Sequence, residues 1–99
     1  MDNVQKSLNL LGLAQRSGNL ISGEAIVLNA VRSRQAKIVI LASDASENTK
    51  KQFLNKCEHY SIPVREDFDR NAISNAIGKI RTVAAITDGG FARSLQKLQ

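Results

Sequence analysis

Side chains able to do covalent or metal chemistry are scarce in this 99-residue chain, with one cysteine, Cys57, and one histidine, His59. On a helix, a separation of two residues turns their side chains about 200° apart, so together they build neither a Cys–His nucleophile pair nor a metal site. Cys57 shares an apolar stripe with Phe53, which reads as a buried structural thiol, while His59 falls on the solvent side. No G-x-G-x-x-G, Walker loop or G-x-S-x-G is present.

Two spots resemble ligand sites. Asp44 follows an apolar run at its carboxyl end, where α/β sheets commonly place ligands; within Ser43-Asp44-Ala45-Ser46 it reads more simply as a turn and cap residue. Thr87-Asp88-Gly89-Gly90 opens a helix whose free N–H groups suit a phosphate, but the Asp88 carboxylate would cap that helix and repel an anion. The residues therefore assign no catalytic group, no metal ligand and no cofactor. A non-enzymatic protein without a small-molecule substrate is expected.

Charge is the next carrier of chemistry. Fourteen Lys and Arg against nine Asp and Glu leave a net +5, unevenly placed. Residues 1–37 hold five basic and two acidic side chains, residues 38–69 four and six, and residues 70–99 five and one. A basic beginning and end around an acidic middle make one basic face if the two ends fold together. A polyanion is the natural partner of such a face. The bland alternative is an ordinary solvated surface.

The elements that must position these charges alternate regularly. Val4, Leu8, Leu11 and Ala14 recur at helical spacing, with Gly12 a weak point and Arg16-Ser17-Gly18 a stop. Asn19 to Ile21 forms a short strand, and Ser22 is the N-cap candidate for a second helix. The apolar stripe of that helix is Ile26, Val27, Ala30 and Val31, so Ile26 is expected in the core. Ile38 to Ala42 is a strand covered on both faces. A helix with Phe53, Leu54, Cys57 and Tyr60 on one side follows, then an edge strand, Ile62-Pro63-Val64. A fourth helix carries Ala72, Ile73, Ala76 and Ile77 and ends at Gly78. Val83 to Ile86 is a second buried strand, and Phe91, Leu95 and Leu98 face inward from a last helix. This order predicts an α/β fold, a three-layer α/β/α sandwich around a central four-stranded mixed sheet.

The composition, 42% apolar and 23% charged, excludes a disordered tail, a coiled coil and a disulfide scaffold. One cysteine forms no internal disulfide and suits a reducing cytoplasm. No apolar run approaches the roughly 20 residues of a membrane span, and the amphipathic amino terminus is unlike a secretory signal. A single cytoplasmic domain over residues 1–99, with no membrane partner and monomeric by default, is expected.

Several stretches, taken in order, form one signature. They are Leu11-Gly12-Leu13-Ala14-Gln15-Arg16, Ser22-Gly23-Glu24, the run from Ala36 to Lys50, Lys56-Cys57-Glu58, Ile62-Pro63-Val64, Ala76-Ile77-Gly78-Lys79, and Ala85-Ile86-Thr87-Asp88-Gly89-Gly90-Phe91-Ala92. In this order and spacing the chain resembles the bacterial YlxQ-like proteins. These are a branch of the superfamily of large-subunit ribosomal proteins seven-Ae and thirty-e, known for kink-turn RNA binding. The likeness covers nearly the whole chain and implies the same sandwich.

The resemblance also implies where RNA would dock: Gly18 to Asn29 and Gly78 to Thr82, with Arg16 just before the first stretch. Both stretches lie in the basic segments. Gly23, having no side chain, would admit the RNA backbone closely, and the N–H groups opening the second helix would meet phosphate. Ala25, Ile26 and Asn29 stand where the superfamily's kink-turn binders carry Asn-Glu-x-x-Lys to contact sheared purine pairs, and Asn19 and Ser22 stand where relatives often carry basic residues. Glu24 offers one carboxylate acceptor, shifted along the helix. Ile80 would lie against unstacked bases while Lys79 and Arg81 meet phosphates, beside Thr82. The resemblance thus implies noncatalytic binding of structured RNA, ribosomal or kink-turn-like, in association with the ribosome or translation. The alternative is a protein-interaction module of the translation or transcription machinery with reduced RNA binding.

Overall fold

Among residues 2–99, which the computed structural model describes, helices and strands alternate as the periodicities require. The elements are α1 (Asn3–Arg16), β1 (Leu20–Ser22), α2 (Glu24–Arg32), β2 (Ile38–Leu41), α3 (Glu47–His59), β3 (Val64–Arg65), α4 (Arg70–Ile77), β4 (Val83–Ile86) and α5 (Gly89–Lys97). The two continuous apolar runs are the central strands. Every residue of β2 and β4 is buried, and they pair antiparallel with Val39 opposite Ala85. β1 joins β4 antiparallel and β3 joins β2 in parallel, so the mixed sheet runs β1-β4-β2-β3. Helices α2 and α3 pack together, as do α1, α4 and α5. The sheet lies between these two groups, as expected of strands apolar on both faces.

Strand boundaries differ from the expectation at two places. β1 is Leu20–Ser22 rather than Asn19–Ile21: the Asn19 N–H donates to the Ala14 carbonyl at 2.8 Å, tying that residue to the end of α1, although its carbonyl still accepts from the Thr87 N–H at 3.0 Å. β3 is Val64–Arg65 rather than Ile62-Pro63-Val64. Pro63 has no N–H to give the ladder, although its carbonyl accepts from Val39 N–H at 2.9 Å.

The expected inward stripes hold at most positions. In α1, however, Val4 is 47% exposed while Ser7 is buried. The reason is Arg65, whose guanidinium is buried under that helix. It donates to Ser7 Oγ at 3.2 Å and to the Leu95 carbonyl at 3.0 Å, and its Nε donates to Asp67 Oδ1 at 2.9 Å. Its charge also lies over the Phe68 ring, 4.9 Å from the centroid. One buried cation thereby ties β3 to α1 and α5, and it holds the Asp67 carboxyl below its ordinary range through their shared hydrogen bonds. Gly12 has a packing reason: a Cβ there would lie 3.1 Å from the Ala76 carbonyl, too close for the α1–α4 approach.

Four helices begin at a side-chain cap. Asp2, Ser46, Asp69 and Asp88 accept from the N–H groups of Gln5, Thr49, Ala72 and Phe91. α2 does not. Its N-cap is Gly23 rather than Ser22, with φ +101° and no side chain to cap with.

Candidate nucleic-acid interface

Gly23 is where the two basic ends of the chain meet. Its N–H donates to the Val83 carbonyl at 3.1 Å, and its carbonyl accepts from the Val27 N–H at 3.0 Å to start α2. A φ of +101° is open to glycine and strained for other residues. The turn between β1 and α2 therefore requires this residue whatever it binds. Its consequence is that the first-turn N–H groups of Glu24, Ala25 and Ile26 have no side-chain acceptor among the described residues. They carry the positive end of the helix dipole outward.

Arg81 stands directly against this opening. Its Nε donates to Ser22 Oγ at 3.1 Å and its Nη1 to the Ile80 carbonyl at 2.9 Å. A Cβ on Gly23 would lie 3.9 Å from that Nε. The Arg81 backbone is pinned as well, since its N–H donates to Ser74 Oγ at 3.0 Å and its carbonyl accepts from the same hydroxyl at 3.3 Å. The loop from Gly78 to Thr82 is thus held at both its arginine and α4. Gly78 takes the left-handed conformation that ends α4. Ile80 projects from this loop and is 69% exposed.

Gly23, Glu24, Ile80, Arg81 and Thr82 line one cleft, and Arg70 forms its further wall. Arg70 was not foreseen from the sequence. Asp44 brings it there: the carboxylate accepts from the Arg70 N–H at 2.9 Å, so the turn after β2 secures the start of α4. Asp44 therefore acts as a cap, as its turn context suggests, but for a helix distant in sequence; α3 is capped by Ser46. Asp88 caps α5 as expected. Glu24 is tied to α3, accepting from Thr49 Oγ1 at 3.2 Å. Its carboxylate is a fixed wall of the cleft, and the acidic middle of the chain supplies part of the surroundings.

The other expected residues flank this cleft. Lys79 lies with Ile80 beside Ser74, Asn75 and Gly78. Ile26 and Asn29 line a separate groove on another side of α2. Ile26 is a correction, since the core placement expected from the apolar stripe fails and the side chain is 58% exposed. Val27, Ala30 and Val31 suffice to seat α2 on the sheet, leaving Ile26 on the outer side. Ala25 is exposed in the first turn. Arg16 lies in a groove between α1 and α4, outside the Gly23 cleft. Cys57 is buried, which pushes its thiol up to about 11. That is the opposite of a nucleophile's environment.

The chain is thus an α/β/α sandwich in which one helix starts without a side-chain cap, beside a tethered arginine and the Glu24 carboxylate. The model of the ribosomal protein L7Ae/L30e/S12e/Gadd45 family matches residues 5–96, and the chain belongs to that family. It is 47% identical over 96 residues to the RNA-binding protein YlxQ of Enterococcus faecium, covering 97% of this chain and 93% of that protein. With the RNA-binding protein YlxQ of Bacillus subtilis it shares 43% identity over 90 residues, covering 90% of each. Among solved structures, a Bacillus halodurans protein of unknown function superposes with a TM-score of 0.91 at 47% identity, over 94% of this chain and 95% of that one. The Giardia lamblia 15.5kD RNA binding protein superposes at 0.82 with 20% identity, covering 99% and 86%, a likeness of fold.

Proposed function

We propose that this protein is a noncatalytic binder of structured RNA, ribosomal or kink-turn-like, acting in the cytoplasm with the ribosome or translation. The observation that carries this reading is the uncapped entrance of α2, with its N–H groups open between Arg81 and Arg70. In this reading a phosphate sits on the α2 entrance, where helix dipole and backbone donors act together. Gly23 admits it closely, and the two arginines meet neighbouring phosphates. Ile80 offers an apolar surface to an unstacked base, in keeping with the way irregular RNA elements are read. Family membership and the printed names of both YlxQ relatives support the same ligand class.

A protein-interaction module is the second reading, favoured by two exposed isoleucines, Ile26 and Ile80. Pull-downs with and without nuclease separate the two. Partners lost after RNA digestion, with bound RNA recovered by crosslinking and sequencing, are the expected result. Partners that all persist after digestion contradict the RNA reading.

A further inference from the structure

A row of depressions leads from the Gly23 cleft onto the other side of the sheet, away from α2 and α3. The cleft shares Ile80 with a shelf formed by Ser74, Gly78 and Lys79, and that shelf shares Asn75 with the groove between α1 and α4. Small residues floor the groove: α1 and α4 pass so closely at Gly12 that a Cβ there would lie 3.1 Å from the Ala76 carbonyl. The Arg16 guanidinium lies back over this floor, its Nη1 3.4 Å from where that Cβ would stand. Among the described residues, neither the Arg16 nor the Lys79 side chain has a hydrogen-bond or ion-pair partner, and no acidic side chain lines the shelf or the groove. The one carboxylate on the row, Glu24, stands at its far end and is bonded to Thr49.

Cations therefore recur along one path, with Arg70 and Arg81 in the cleft, Lys79 on the shelf and Arg16 in the groove. Positive charges strung along a depression without counter-charges suit the backbone of a polyanion, which presents a charge at every step. At the junction of shelf and groove, the Asn75 carboxamide offers both donors and an acceptor to a 2′-hydroxyl or a base edge. Packed helices have axes about 8–10 Å apart, so the groove between them takes one strand and not a duplex. We propose that the RNA held at the Gly23 cleft continues as a single strand over Lys79 into the α1–α4 groove, where Arg16 binds a phosphate. This rests on the RNA reading and narrows its ligand to a structured element with an unpaired flank.

Titration with three fluorescently labelled RNAs tests this: a blunt hairpin containing an internal loop, and the same hairpin with six unpaired uridines at its 5′ or its 3′ end. One tailed hairpin is expected to bind about fivefold more tightly than the blunt one, as an added charge-assisted contact would give. Its salt slope should be steeper by about 0.7 for each tail phosphate held. Arg16→Ala should remove most of that gain and Arg93→Ala should preserve it. Arg16 is exposed, so the melting temperature of its variant should match the parent's. Equal affinity for all three RNAs, or a gain that survives Arg16→Ala, overturns this proposal alone. The groove, with Leu13 49% exposed on its rim, would then be left to a protein partner. No binding of any of the three hairpins overturns the RNA reading as well.

Discussion

The starts of α2 and α5 contain similar sequence elements and have opposite surfaces. Ser22-Gly23-Glu24 and Thr87-Asp88-Gly89-Gly90 both place glycine at a strand-to-helix turn, and both have the composition of a phosphate loop. At α5 the Asp88 carboxylate accepts from the Phe91 N–H at 2.9 Å and fills the position an anion would take. At α2 the cap position is Gly23 itself, the side chain is missing, and the Arg81 guanidinium stands against the turn, with the Glu24 carboxylate drawn toward Thr49 of α3 on the wall of the same cleft. A helix N-terminus attracts anions by its dipole and free donors, but the cap residue decides whether that attraction faces outward. In this chain one residue of difference separates a closed helix start from an open one.

Five variants at and around the two helix starts test this contrast. The largest effect is expected at the open start: Lys79→Ala with Arg81→Ala should weaken RNA binding by about 2 kcal/mol, roughly 30-fold, at about 1 kcal/mol per lost charge-assisted contact. Arg93→Ala, which removes a cation beside Gly89, should leave affinity unchanged when both variants are titrated with fluorescently labelled RNA. Gly23→Ala comes next, with a cost of about 2 kcal/mol in denaturant unfolding because alanine is strained at φ +101°. At the closed start, Asp88→Ala should cost about 1 kcal/mol by loss of its cap, without changing RNA affinity. The smallest effect has the opposite sign to Gly23→Ala. Gly89→Ala should stabilise by about 0.5 kcal/mol, since its conformation is ordinary and a Cβ meets only the flexible end of Arg93 at 3.4 Å. If both glycine substitutions destabilise alike, the two starts do not differ as described.

The layered architecture was legible because Ile38–Leu41 and Val83–Ile86 are too apolar for anything but central strands. Asp88 was legible as a cap because capping is local in sequence. Ile26 was not, because a helical stripe shows which residues share a side and not where that side stops; three other residues already filled the contact. Arg70 is held at the cleft by its backbone N–H donating to Asp44, 26 residues earlier, and no spacing rule reports such a link. Arg65 looks like any surface arginine until Ser7, Asp67 and Leu95 are folded around it. Local chemistry was readable at its own position, whereas groups brought together by the sheet were not.

The central claim is that phosphate is held at the start of α2 and on the Gly78–Thr82 loop, and salt dependence tests it most directly. With three to five phosphate contacts, log affinity for a bound RNA should fall against log salt with a slope of roughly −2 to −4. The Lys79→Ala, Arg81→Ala double variant should flatten that slope by about 1.5, and Asp88→Ala should leave it unchanged. A double variant with the parent's slope and affinity would place the phosphates elsewhere and contradict the account.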